Sequence, residues 1–325
     1  MHQPRHSRHL VRAFSTSDLF WTLFFLALLI TVLLPSCSRA RGPARRSICA
    51  SNLRGIGQGM HIYANDNREW FPHHYFNPLS PEESPEEHGV AWVGTMGSNE
   101  FLRISQATTP TISPRKSHPS RSLYMLVIGC QLTTGSFICP STNDIEDDSR
   151  NYGPDAADGQ SSARPGKNRY DFRGYDHLSY GYQLPYGRQG RPRDNMDSRM
   201  ALVADKGPYY ASGGPGLDGT RTIRDQRSDV DVPTEWGKQS PAKIDKLSNE
   251  DWRKYNSRNH GGEGQNVLYV DGHADFQRKP LVGVNHDNLY TIQSGYTTAD
   301  GMIGRVPHAD QALGPLTNTD SFLVP

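Results

Sequence analysis

The sequence predicts an α+β protein, with a long amino-terminal helix leading into a loop-rich head built on an antiparallel sheet. Three observations predict it. One uncharged apolar run, Leu19–Leu34 (LFWTLFFLALLITVLL), stands near the amino end without Gly or Pro. The 325-residue chain carries 31 Gly and 23 Pro with only 35% hydrophobic residues, a composition of short elements and many turns. Near the carboxyl end, Asp271-Gly272 lies between two short apolar runs, a strong hairpin signal.

The apolar run reads as a membrane anchor, which makes the lipid bilayer the first partner. A bilayer core needs about 20 apolar helical residues. Leu19–Leu34 supplies sixteen, and starting at Phe14 gives twenty-one at the cost of Ser15, Thr16, Ser17 and Asp18. A carboxylate inside a span costs about 2.5–3.5 kcal/mol at its centre and less near an end, so Asp18 needs a partner or the interface. Arg5, Arg8 and Arg12 place the amino end in the cytoplasm, whereas Arg39, Arg41, Arg45 and Arg46 argue for the opposite orientation. Two other readings compete. A cleaved signal peptide fits the basic start, but no A-x-A site follows. A lipoprotein signal would end at Cys37 in Leu34-Pro35-Ser36-Cys37, with proline poorly suited to its middle position.

Beyond the run, Ile48, Leu53, Ile56, Met60 and Tyr63 recur at spacings of three to five and predict one stripe of a continuing helix. Gly55, Gly57 and Gly59 weaken it by about 1 kcal/mol each relative to Ala. Pro43 can bend it, and Asn65-Asp66-Asn67 with Pro72 ends it. The organisation is therefore a basic leader (1–13), a helix (14–66) and an α+β head (67–325).

In the head, Val90–Val93 and Phe101–Ile104 read as short strands. Ser122–Ile128 fits a buried strand or a short core helix equally. Leu178–Leu184 alternates apolar and polar residues as a strand does, and Met200–Ala204 reads as a buried strand entering a turn at Asp205. Residues 143–173 and 211–243 read as surface loops, with Asp144, Glu146, Asp147 and Asp148 a solvated acidic stretch. Asn266–Val270 and His273–Phe276 flank the Asp271-Gly272 turn.

Cys130 and Cys139 stand nine apart, and in an exported head they are disulfide candidates; two buried thiols fit the spacing as well. His260, Asp271, His273 and Asp275 offer metal-ligand chemistry, but a turn carboxylate and exposed hairpin side chains explain them without a metal. No metal or other cofactor is therefore expected. The net charge of +1 gives no reason to expect a nucleic-acid partner. No G-x-S-x-G, H-E-x-x-H, P-loop or dinucleotide fingerprint is present, and the thirteen histidines are scattered, so no enzyme is expected.

The stretch LLPSCSRARGPARRSICASNLRGIGQGMHIYAND resembles the prepilin-type amino-terminal segment of bacterial type IV pilins and type II secretion pseudopilins. Counting back from Pro35 in that resemblance puts Phe14 at the first mature position, Ala13 in the place of the cleaved Gly, and Asp18 where the family has its glutamate. The sequence His260-Gly-Gly-Glu-Gly-Gln-Asn-Val-Leu-Tyr-Val-Asp271-Gly272 resembles the processing-associated H-x9-DG domain, with ten intervening residues in place of nine. The Cys139-Pro140-Ser141 step and VGVNHDNLYT add to the likeness. The resemblance implies a pilin-like fold with the head periplasmic or extracellular on a single-pass inner-membrane anchor. It implies a non-catalytic assembly subunit, with other pilin-like subunits and, if processed, a prepilin peptidase as partners. Asp18 would then pair with a neighbouring subunit's amino group. The Ala13 and Asp18 departures keep open an uncleaved, membrane-anchored binding module, metal-dependent or not.

Overall fold

The computed structural model describes residues 15–73, 119–149, 171–172, 174–185, 192–215, 221–225, 232–306 and 314–324, with the side chains of 32–40, 212–215, 221–225 and 234 left aside. Ala13 and Phe14 lie outside these residues, as do the expected strands at Val90–Val93 and Phe101–Ile104. The chain divides into two compact units, Met1–Ala44 and Arg45–Pro325. The boundary falls inside the first helix, so the helix's carboxyl-terminal part belongs with the head.

Helix α1 spans Thr16–Asp66 and runs through Pro43. In the first unit its start is capped. The Ser15 N–H donates to Asp18 Oδ2 at 3.1 Å and the Ser17 N–H to Ser15 Oγ at 3.4 Å, which occupies two otherwise orphaned donors. From Leu19 to Ile30 the large apolar side chains are all 45–65% exposed. Among the described residues, no helix is long and apolar enough to cross a membrane.

In the second unit, α1 buries Cys49, Leu53, Ile56, Met60 and Ala64 completely. The spacings of four, three, four and four define one helical face. The expected stripe is thus corrected at its start: Ile48 is 51% exposed and Cys49 takes the inward position. At Gly57, α1 packs closely on the sheet, for a Cβ there would stand 2.8 Å from Leu268 Cδ1.

The sheet has five antiparallel strands: β1 (Tyr180–Gln183), β2 (Ala201–Asp205), β5 (Gln265–Tyr269), β6 (Ala274–Gln277) and β7 (Leu323–Val324), in the order β6-β5-β2-β1-β7. The ladder pairs Tyr180 with Asp205, Val203 with Leu268 and Val267 with Asp275. Every position of β1, β2 and β5 is buried, as in strands covered on both faces. The strand expected in Leu178–Leu184 is present as β1, and the whole stretch is buried although its sequence alternates apolar and polar residues. A two-stranded ribbon, β3 (Tyr210–Pro215) with β4 (Arg221–Asp225), forms where a loop was expected, followed by short helices α3 (Thr234–Gly237) and α4 (Pro241–Asp245).

Helix α2 (Ser120–Gly129) resolves the ambiguity at Ser122–Ile128 in favour of a core helix, burying Leu123, Tyr124 and Leu126. A satellite core gathers Ile244, Trp252, Tyr255, Leu281, Met302 and Ile303 around α4, α5 (Asn249–Trp252) and α6 (Thr298–Ile303). Capping boxes start α5 and α6, Ser248 with Asp251 and Thr297 with Asp300.

Candidate functional site

A polar cluster is buried where α1, the amino end of β1, the carboxyl end of β2 and the turn before β5 meet. Cys49 points inward from α1. Cys139 follows a 3₁₀ turn (Thr134–Phe137), and the Asn52 side-chain amide donates to the Ile138 carbonyl at 3.0 Å to hold that segment against α1. Asp205 ends β2. His260 ends a 3₁₀ turn (Arg258–His260), where Ser257 Oγ accepts the Asn259 N–H at 3.2 Å. The four residues' ligand atoms lie within 4.8 Å of one another.

Cys49 and Cys139 form a disulfide, with Cα atoms 5.3 Å apart. The expected pairing of Cys130 with Cys139 is therefore corrected. Cys130 is a free thiol whose Sγ–H donates to the Gly59 carbonyl at 3.4 Å. Burial, and then the Asp66 charge, push that thiol's pKa up, which makes it a poor nucleophile. The sequence offered three possible partners for Cys139, and the fold selects the one 90 residues away because α1 lies beside it.

Asp205 is completely buried. Its Oδ2 accepts the Asn266 N–H at 2.6 Å and stands 3.2 Å from His260 Nε2. Its Oδ1 accepts from Asn259 Nδ2 at 3.0 Å, and Asn259 donates as well to the Ser179 carbonyl at 2.8 Å. His260 Nε2 also lies 3.8 Å from Cys139 Sγ and 3.0 Å from Asn266 Nδ2. One nitrogen cannot both donate to the carboxylate and accept from the amide in one tautomer. Asn266 Oδ1 is buried without a hydrogen-bond partner, so this corner of the site is not fully satisfied as arranged. Phe276 closes the apolar side, edge-to-face with the His260 ring at 5.7 Å.

The other half of the H-x10-DG motif lies elsewhere. Gly272 N–H donates to the Tyr269 carbonyl at 2.9 Å, and Tyr269 N–H to the His273 carbonyl at 3.0 Å. Within the connection from Val270 to Gly272, only Gly272 has positive φ, +84°. The connection is thus a three-residue turn with glycine in the left-handed position, not the expected two-residue Asp-Gly turn. Asp271 accepts the His273 N–H at 3.1 Å and pairs with its ring at the exposed tip. The His273 ring stacks on Tyr269 with centroids 4.3 Å apart. The structure does not bring His260 together with Asp271, Gly272 and His273, and Asp275 is exposed.

Beside the cluster, Asp144 and Lys206 form a buried ion pair at 2.9 Å. Ser179 Oγ donates to the same carboxylate at 2.6 Å. Burial lowers the Lys206 pKa, and Asp144 opposes that shift. The expected solvated acidic stretch is therefore corrected at Asp144 and at Asp147, which is 1% exposed and accepts the Ser149 N–H at 2.8 Å. Sequence reading passed over Asp205, Asn259 and Asn266. The signal available for Asp205 was a carboxylate directly continuing a fully apolar strand, which must find partners once buried.

Residues 38–205, just over half of the chain, match the model of a family described as protein of unknown function, DUF1559. Cys49, Cys139 and Asp205 fall within the matched span and His260 beyond it. No curated protein and no solved structure matches the chain.

Proposed function

The chain belongs to the DUF1559 family, and from that premise we propose that it is a membrane-anchored, pilin-like assembly subunit rather than an enzyme. The observation that carries this reading is a single helix with two characters. Along Leu19–Ile30, α1 presents apolar side chains on every face. From Cys49 to Ala64 the same helix supplies one face of the head's core. A helix apolar all round needs lipid or partner helices to cover it, whereas a one-sided helix needs only its own head. The expected span reaches Leu34, and Leu19–Ile30 supplies most of its apolar run.

In this reading the amino end lies within the inner membrane, the head faces the periplasm or exterior, and neighbouring pilin-like helices are the partners. The Cys49–Cys139 disulfide supports an exported head, since such bonds persist in oxidising compartments. Asp18 has two possible employments. It caps its own helix through the Ser15 N–H, and after cleavage between Ala13 and Phe14 it would face a neighbour's new amino group.

The test is the amino-terminal residue of the protein extracted from its native membrane, read by mass spectrometry. A start at Phe14, with or without N-methylation, supports the assembly subunit. An intact or Met-trimmed start moves the protein to an uncleaved, anchored binding module. A lipid-modified Cys37 start overturns both.

A further inference from the structure

The geometry points to a zinc site formed by Cys49, Cys139, Asp205 and His260 when the disulfide is reduced, so that one buried cluster holds either a covalent bond or a divalent thiophilic cation. This inference does not depend on the assembly reading.

The donor set is the first ground. Two cysteine sulfurs, an imidazole nitrogen and a carboxylate oxygen are borderline-soft ligands suited to zinc, and four of them close a tetrahedron. The second ground is distance. Zinc bonds of ~2.3 Å to sulfur and ~2.0–2.2 Å to nitrogen and oxygen place tetrahedral neighbours ~3.4 Å apart for N and O, ~3.6 Å for N and S, and ~3.8 Å for S and S. His260 Nε2 stands 3.2 Å from Asp205 Oδ2 and 3.8 Å from Cys139 Sγ. Two edges of the tetrahedron are thus already close to their zinc lengths. The sulfur pair must open by less than about 2 Å, which breaking the bond between them permits, and the three remaining edges are none of them longer than 4.8 Å.

The third ground is electrostatic. Asp205 is buried with only neutral amide donors and His260 around it. A buried carboxylate of this kind calls for a cation. The Lys206 ammonium beside it is already engaged by Asp144, the Tyr175 carbonyl and the Tyr175 ring. The conflict at His260 Nε2 also resolves. With its lone pair on the metal, the nitrogen neither donates nor accepts, and Asn266 Nδ2 keeps Asp205 Oδ2 as its acceptor at 3.4 Å. Asn259 would then act as the outer-sphere group orienting the Asp205 ligand. All four positions are filled by protein, so the site is structural, with no open position for a substrate.

The exchange balances. A dithiol reductant gives two electrons and two protons to the Cys49–Cys139 bond and leaves as its own disulfide. Zinc then displaces the two thiol protons and binds both thiolates, the Asp205 carboxylate and neutral His260. A disulfide oxidant reverses the sequence and releases the ion.

To test it, the full chain in detergent is unfolded, reduced with a phosphine and refolded without oxygen in the presence of Co²⁺ or Zn²⁺. The expected result is one metal per chain, with thiolate-to-cobalt charge-transfer and tetrahedral d–d absorption that zinc abolishes. The same signal is expected in Cys130→Ser. The oxidised chain, Cys49→Ser and Cys139→Ser should lack it. Asp205→Asn should bind at least tenfold more weakly. A reduced wild-type chain that takes up no stoichiometric metal overturns the proposal. So does a charge-transfer band that survives Cys139→Ser or disappears in Cys130→Ser. Far-UV circular dichroism of the reduced wild type accompanies the titration, and a chain that is unfolded and stays so with zinc counts against the site.

Discussion

Asp144 and Lys206 show how single residues carry the head's electrostatics. Their side chains are 10% and 7% exposed, so removing one partner strands the other charge in the core. Asp144→Asn is expected to cost about 3–5 kcal/mol, and pairing it with Lys206→Met to recover most of that, as measured by denaturant unfolding. Nothing local in the sequence marks Asp144 for burial among its acidic neighbours, because its partner lies 62 residues on. A second residue-scale effect comes from Asp287 and Asp320. Burial raises both, Asp287 further through the Asp320 charge, and Asp320 reaches about 7 against an ordinary 3.8. A folded value above the unfolded one means that the protonated form stabilises the fold. That contribution is complete below about pH 4 and is lost as pH rises toward and through 7. The head should therefore melt at lower temperature at pH 8 than at pH 5. Asp320→Asn should flatten that slope and raise the pH 8 melting temperature; an unchanged slope would refute the assignment.

Elements repeat the contrast between local and distant information. The β5–β6 connection turns on Gly272, where φ is +84° and a Cβ would meet nothing closer than His61 Nε2 at 3.4 Å. The cost of a side chain there is conformational, not steric. Gly272→Ala should lose about 1–2 kcal/mol and Gly272→Asn clearly less, since asparagine tolerates the left-handed region. Equal losses in thermal melts would mean that the turn has another conformation. The hairpin, the buried stretch at β2 and the end of α1 near Asp66 were legible in the sequence because each is set by residues within a few positions. The turn type was not, because Asp-Gly serves both two- and three-residue turns. The inward position of Cys49 was also hidden. Ile48 is the more apolar neighbour, and only the bridge to Cys139 and the packing of α1 on β5 choose between them. The strand order β6-β5-β2-β1-β7 and the meeting of His260 with Asp205 depend on contacts far apart in sequence, which no periodicity records.

At the scale of the whole molecule, the division at Ala44–Arg45 separates two solvent problems. The first unit exposes its apolar side chains, and the second buries a continuous core that includes the last turns of α1. Residues 45–325 retain Cys49 and so keep the disulfide that closes a 90-residue loop. A loop of that length restricts the unfolded chain by an amount equivalent to about 4–5 kcal/mol, so Cys139→Ala should lower the head's stability by that order. If the two units are thermodynamically independent, a chain beginning at Arg45 should be soluble without detergent and melt within a few degrees of the full chain. The full chain should sediment with membranes and resist carbonate extraction. A truncated chain that melts far lower would show that residues before Arg45 contribute to the head's fold. A full chain released by carbonate would show that the apolar stretch of α1 is covered by protein instead of lipid, since only hydrocarbon burial survives the loss of peripheral electrostatic contacts.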